Sequence, residues 1–214
     1  MSNYLKRLRS SSLFFKVASI VLISVILVCI FTTIITIKIS KDVLFDTFSK
    51  SNYKVLTQIA GNFIRLNDNI INIMNVIDTS PDFQRYLTEE EMSPQLSYST
   101  IYNMTTNLKN TIPTKDFYDI TVIAVGFNGY TYVENEDRIL MNTDDILHSD
   151  LTKNALANKD IVSYQYLQSG FTKFTKYSST IVATKVLSDK FTRKPFGLIY
   201  VFISNNTLKK YYRY

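Results

Sequence analysis

Between Lys16 and Lys38 lie 21 residues without a charge, VASIVLISVILVCIFTTIITI, from Val17 to Ile37. As an α-helix rising about 1.5 Å per residue, the run spans about 31 Å, the thickness of a bilayer's hydrocarbon core. Its polar members are serine, threonine and one cysteine, and such side chains can bond back to helix carbonyls. The run predicts a transmembrane helix. Lys6, Arg7, Arg9 and Lys16 precede it with no acidic residue, so the positive-inside rule places that tail in the cytoplasm and all that follows Lys38 outside. A cleaved signal peptide would have a shorter apolar stretch and a small-residue cleavage site, and IKISKDV offers no such site. The expected layout is a cytoplasmic basic tail at 1–16, a membrane helix at 17–37, a long exported helix at 38–79 and a globular module at 80–214.

The chain of 214 residues carries a formal net charge of +6. The tail holds four of those charges, and the exported portion is nearly balanced, with 20 basic and 18 acidic residues. The basic pI is therefore a property of the anchor, and a nucleic-acid partner is not expected. The only cysteine, Cys29, lies inside the membrane run, so the exported part can form no intrachain disulfide, which fits a bacterial surface protein. In that setting the sequons Asn103-Met104-Thr105 and Asn205-Asn206-Thr207 are chance patterns.

Leu44, Phe48, Val55, Ile59, Phe63, Leu66, Ile70, Ile73 and Ile77 form a helical stripe. Its breadth favours packing on the chain's own domain for most of its length over pairing with a second copy. Ser80-Pro81-Asp82 restarts the helix with a capping serine, and Ser93-Pro94 opens another that runs to about Asn110. Strands follow. ITVIAVGF, 120–127, is too continuously apolar for a one-faced strand. Asn128-Gly129 then signals a hairpin into Tyr130–Val133. Thr143–Ala157 reads as one short helix capped by the threonine, and Ile161–Leu167, Thr180–Leu187 and Leu198–Ile203 as three further strands, with Pro195 and Gly197 marking the turn into the last. Helices first and five mainly hairpin-paired strands after them predict an α+β fold on an antiparallel sheet.

No catalytic constellation stands out. One histidine, His148, excludes a multi-histidine metal site within the chain. Asp144, Asp145 and Asp150 lack the alternating ligands of a calcium loop and read as helix caps. GFNG has neither the spacing nor the lysine of a phosphate loop. The chain is not expected to be an enzyme or to carry a cofactor or metal.

Several segments together resemble a known family: DITVIAVGFNGYTYV, SDLTKNALANKDIVSYQ, TIVATKVLSD and KPFGLIYVFISNNTL. With the basic tail, single membrane helix and long exported helix, they look like the extracytoplasmic Cache region, a PAS-like ligand-binding module, of YesM-type bacterial sensor histidine kinases. The resemblance implies a membrane-anchored sensor of signal transduction in a two-component system, a homodimer in the full-length receptor, and a small-molecule ligand or a solute-binding protein as partner besides membrane lipid. It also implies that the chain stops after the first Cache module, where relatives continue into a second. The same ectodomain could serve an AraC-type membrane regulator or a chemoreceptor, and a non-sensory surface anchor is a further alternative. The family's Trp-Tyr pair corresponds to Leu151 and Thr152 here, and its amine-binding Asp to Phe202, so an amino-acid ligand is not supported.

A PAS-like sheet would form a pocket between its concave face and the loops around 130–175. Candidate liners are Tyr130, Tyr132, Arg138, Tyr164, Tyr166 and Lys185. The rings supply apolar walls with polar tips, and Arg138 could hold an anion. The competing reading makes the tyrosines half-buried strand residues and Arg138 a surface charge.

Overall fold

The computed structural model describes residues 2–111, 120–134 and 137–212, with side chains at 13–110, 120–134 and 137–209. The side chains of Lys6, Arg7 and Arg9, and those of Tyr211–Tyr214, lie outside the described residues. Among the described residues, six helices and five strands follow in order: α1 Ser2–Thr79, α2 Pro81–Thr88, α3 Pro94–Thr111, β1 Ile120–Gly126, β2 Thr131–Val133, α4 Thr143–Leu147, α5 Asp150–Ala157, β3 Ser163–Leu167, β4 Thr180–Ser188, β5 Pro195–Ser204 and α6 Asn205–Tyr212. Contacts divide the chain into two compact units, Met1–Thr57 and Gln58–Tyr214.

The first unit is the N-terminal part of α1, and from Leu13 on it contains a stretch long and apolar enough to cross a membrane. Its side chains from Leu13 to Thr57 are all exposed, which suits a lipid-facing surface over the apolar run. Within that run the hydroxyls behave as expected. Ser24 donates to the Ile20 carbonyl at 2.9 Å, and Thr33 to that of Cys29 at 2.7 Å.

The second unit is built on one five-stranded sheet in the order β2-β1-β5-β4-β3, with every pair antiparallel. This is an α+β, PAS-like (Cache-like) sheet. Side chains alternate between two faces. One face carries Val122, Ala124, Tyr132, Ala183, Leu187, Ile199 and Val201, and packs on α1, α2 and α3 through Leu66, Ile70, Ile73, Phe83, Leu87 and Met104. The other carries Ile123, Val125, Val182, Val186, Leu198, Tyr200 and Phe202 beneath α4, α5 and Phe171. β5, central in the sheet, is buried at every position from Phe196 to Ile203, as expected of a strand covered on both faces.

Several local expectations need correction. The apolar stripe of α1 is fully buried only from Leu66 onward, where it packs on the sheet and helices of its own unit, while Leu44 and Phe48 are exposed. Ser80 has the extended backbone of a cap, but its hydroxyl makes no capping bond, and Pro81 alone sets the restart. The helix expected over 143–157 is two. His148 ends α4, and the Ser149 hydroxyl, accepting from the Thr152 amide at 3.4 Å, starts α5. Asn142, not Thr143, holds the cap position of α4. Ser204 caps α6 by accepting from the Thr207 amide at 3.1 Å. Pro195 and Gly197 lie inside β5 rather than in a turn before it. Gly197 faces Gly126 across the sheet, and a Cβ there would sit 2.5 Å from the Val125 carbonyl oxygen.

Candidate functional site

The two sheet faces differ chemically. On β4 the residues Thr180, Val182, Thr184 and Val186 point to the α4–α5 side, so period-two alternation plants two hydroxyls in an otherwise apolar layer. Tyr200 stands opposite Thr184 on β5. The Tyr200 hydroxyl reaches up 2.6 Å to that of Thr152 in the first turn of α5, and Thr152 donates in turn to the Ile146 carbonyl at 2.5 Å. This chain of bonds ends on the Ile146 carbonyl of α4 and ties both helices to the central strand. Burial pushes the Tyr200 phenol up to about 12, with the Thr152 bond opposing the shift.

A hydrogen-bonded loop closes the layer. The Asp137 carboxylate accepts through Oδ1 from the amides of Arg138 at 2.8 Å and Phe174 at 3.2 Å. Leu140 and Lys173 amides donate across to Phe171 and Arg138 carbonyls, and the Thr172 and Thr175 hydroxyls bond each other at 2.8 Å. This frame holds Phe171 over the sheet, edge-on to Tyr200 and Phe202 at centroid separations of 5.7 and 5.3 Å.

Three buried oxygens here have no hydrogen-bond partner among the described residues: Thr180 Oγ1 and Thr184 Oγ1 on β4, and Asp137 Oδ2 in the loop. A buried polar atom left in this state costs about 1–3 kcal/mol. The two threonine hydroxyls can donate and accept and the carboxylate oxygen accepts, so each could take a hydrogen bond from a donor-bearing small molecule. Among the described residues no group of three or more His, Cys, Asp or Glu could hold a metal ion.

The residues singled out from sequence are placed differently. Tyr132, Tyr164, Tyr166 and Lys185 all point to the face covered by α1–α3, because the strand register gives them one parity. Tyr132 is buried edge-on against Phe83, donates to the Glu134 carboxylate and lies 3.2 Å from the Thr105 hydroxyl. Burial, reinforced by that carboxylate, pushes its phenol well up. Tyr130 leans on Tyr86. Tyr164, its phenol raised by burial, donates to Asn67 of α1 at 2.6 Å. Tyr166 is exposed. Lys185 donates to Asp78 at 2.8 Å and Asn75 at 3.3 Å, both on α1. Arg138 alone belongs to the loop over the opposite face, and its side chain is exposed. Five of the six thus do not join the layer around Tyr200.

Sequence reasoning passed over Asp137, Thr152, Phe171, Thr180, Thr184 and Tyr200. The alternation Thr-Ile-Val-Ala-Thr was the available signal for the β4 hydroxyls. The two places where the family resemblance breaks, Leu151-Thr152 and Phe202, both lie in this layer.

No described protein family matches the chain, and no curated protein matches it. Solved structures do. The sensory domain of the Campylobacter jejuni chemoreceptor Tlp3 (CcmL) with isoleucine bound is 20% identical, with a TM-score of 0.49 over 73% of this chain and 58% of that one. The ligand-binding domain of the same receptor in complex with L-valine is 18% identical, with a TM-score of 0.49 over 73% of this chain and 59% of that one. The chain therefore spans less than two thirds of the length of these structures.

Proposed function

We propose that the chain is the membrane-anchored, extracytoplasmic sensor region of a bacterial sensor histidine kinase, with its N-terminus in the cytoplasm and a non-catalytic, ligand-binding role for the sheet domain. One observation carries the ligand-binding part of this reading: three unpartnered buried oxygens, on Thr180 and Thr184 of β4 and on Asp137 of the loop that covers the sheet. A small molecule with hydrogen-bond donors enters when Phe171 swings off Tyr200 and Phe202, and its donors satisfy those oxygens. The anchor supports the location, through the apolar run and the basic tail before it.

Strand β4 gives binding a route outward. Thr184 faces the ligand layer, and its neighbour Lys185 faces α1 and bonds Asp78 and Asn75. A ligand that displaces β4 therefore acts on the α1 contact through one peptide unit, and a homodimeric receptor passes that change inward.

The test is a thermal-shift screen of the full chain in detergent against amino acids, sugars and organic acids. A ligand at about one hundred times its dissociation constant adds about 2.7 kcal/mol and raises the melting temperature by about 5–10 °C. A flat screen overturns the ligand-binding part of the reading. A C-terminal reporter active only in the cytoplasm overturns the topology.

A further inference from the structure

The loop that covers the sheet has an outer side as well as an inner one. Its two segments, 137–141 and 171–177, pair antiparallel. Ile139 bridges to Thr172, the Lys173 amide donates to the Arg138 carbonyl at 2.9 Å, and the Leu140 amide donates to that of Phe171 at 2.7 Å. Arg138 therefore stands directly opposite Lys173, and side chains so placed leave the same side of the pair, with Cβ atoms about 5 Å apart. The chain then turns back. The Lys176 amide donates to the Thr172 carbonyl at 2.8 Å, a helical turn that sets Lys176 on the side of Lys173, three residues on. Two segments thus bring three cations together, and all three are exposed.

The arrangement works against the fold. Like charges directly opposite each other on paired segments are destabilising, and none of Arg138, Lys173 and Lys176 makes an ion pair among the described residues. The Asp137 carboxylate does not answer them on the outer side. It is buried, with Oδ1 accepting from the Arg138 and Phe174 amides. The backbone that carries the cations is held in place from several directions. Asp137 binds both segments, the Thr172 and Thr175 hydroxyls bond each other at 2.8 Å, and the Ser169 hydroxyl donates to the Lys176 carbonyl at 2.6 Å.

We propose that this outer side binds a phosphate group. The guanidinium fork of Arg138 matches two phosphate oxygens, and the third meets the ammonium groups of Lys173 and Lys176 as point charges. A phosphate dianion answers most of the positive charge gathered there, whereas a carboxylate brings two oxygens and a single charge and leaves a cation unmet. Phe174 and Tyr177 flank the turn, 63% and 88% exposed, with the Lys176 ammonium 5.5 Å from the Tyr177 ring centroid. The organic part of a phosphate monoester has these rings to lie against. A bound phosphate offsets the repulsion between Arg138 and Lys173 and so tightens the pairing of the two segments. The site uses the outer groups of the loop, and it stands whether or not the layer around Tyr200 takes a ligand.

Titration calorimetry on the full chain in a phosphate-free maltoside detergent tests it, with inorganic phosphate, phenyl phosphate and acetate as probes at constant ionic strength. Both phosphates should bind and acetate should not. Equal affinity for the two phosphates assigns the site to the group alone, and tighter binding of phenyl phosphate assigns it to a monoester. The Arg138→Gln/Lys173→Gln double variant should weaken phosphate binding about tenfold or more. Without phosphate the same variant should melt no lower than the parent, because it removes a repulsion, whereas loss of a merely structural pair would lower the melting temperature. Lys190 and Lys194 are exposed cations on the turn between β4 and β5, and Lys190→Gln/Lys194→Gln should leave phosphate affinity unchanged. No binding of either phosphate, equal binding of acetate, affinity indifferent to the Arg138 and Lys173 changes, an equal loss from the Lys190 and Lys194 changes, or a lowered melting temperature of the first variant without phosphate overturns the proposal.

Discussion

The hydroxyl of Thr152 lies 2.6 Å from that of Tyr200, joining the first turn of α5 to the middle of the central strand. Thr152→Val leaves a buried phenol without a partner and should destabilise the chain by about 1–3 kcal/mol. Tyr200→Phe removes one bond but leaves Thr152 donating to Ile146, at about 1 kcal/mol. The double variant should cost less than the sum, because the second change removes the group that the first one orphaned. Urea unfolding of the four proteins in detergent measures this, and strict additivity would deny the coupling.

Lys185 and Asp78 form the least exposed ion pair among the described residues, with side chains 18% and 25% exposed. Lys185→Met should cost about 1–2 kcal/mol after allowance for partial solvent screening. The loss should shrink only slightly at high salt, since a half-buried pair is weakly screened. The exposed pair of Lys50 with Asp46 gives the contrast, and Lys50→Met should change unfolding by no more than a few tenths of a kcal/mol.

Gly126 closes β1 against the end of α2. A Cβ there would collide with Asn128 Oδ1 and sit 2.7 Å from the Leu87 carbonyl oxygen. Asn128 cannot simply swing away, because its amide nitrogen donates to the carbonyls of Tyr86 at 3.2 Å and Glu89 at 2.8 Å. Gly126→Ala should therefore cost about 1–3 kcal/mol and loosen α2. Hydrogen exchange at residues 81–88 would show it, whereas unchanged protection there would contradict the role given to Asn128.

Two groups contribute to the pH dependence of stability from opposite sides. The Tyr200 phenol is raised from 10.0 to about 12 by burial, so folding favours its protonated form. Its contribution is complete below pH 10 and is lost as pH climbs toward 12. The Asp189 carboxylate is held below its ordinary 3.8, first by the Thr192 amide and hydroxyl, with Gln84 and the Phe191 amide adding to the effect. Its contribution is complete above that value and is lost as pH falls through the lower folded one. Tyr200→Phe should reduce, without abolishing, the alkaline loss between pH 10 and 12, since the raised phenols of Tyr132 and Tyr164 also oppose ionisation there, and Asp189→Asn should reduce the loss on the acid limb, both read from melting temperature against pH.

Much of the fold could be read from the residues. Ile120–Val125 was visible as a two-sided strand because its apolar run leaves no polar face, and Asn128-Gly129 announced the turn after it. The split between α4 and α5 was hidden, because Ser149 acts as a cap only once the chain bends at His148. The candidate site was read less well, for a reason rooted in parity. Tyr132, Tyr164, Tyr166 and Lys185 attracted notice as amphipathic side chains, but only the pairing of β1 with β2 and of β3 with β4 reveals that they share the face under α1–α3. Asp137 and Phe171 owe their positions to loop hydrogen bonds between segments more than thirty residues apart, which no local pattern records.

The position of β5 also bears on how the domain is made. Among the described residues it is the last strand in sequence and the middle one in the sheet. Until residues 195–204 have been made, the β1–β2 hairpin and the β3–β4 hairpin each expose an unpaired inner edge and half an apolar layer. The sheet can therefore close only once β5 is available, in one long-range step. Before that step the half-finished sheet is an open template for strand pairing with other chains, and the time spent in that state, more than final stability, should govern how much protein folds without aggregating.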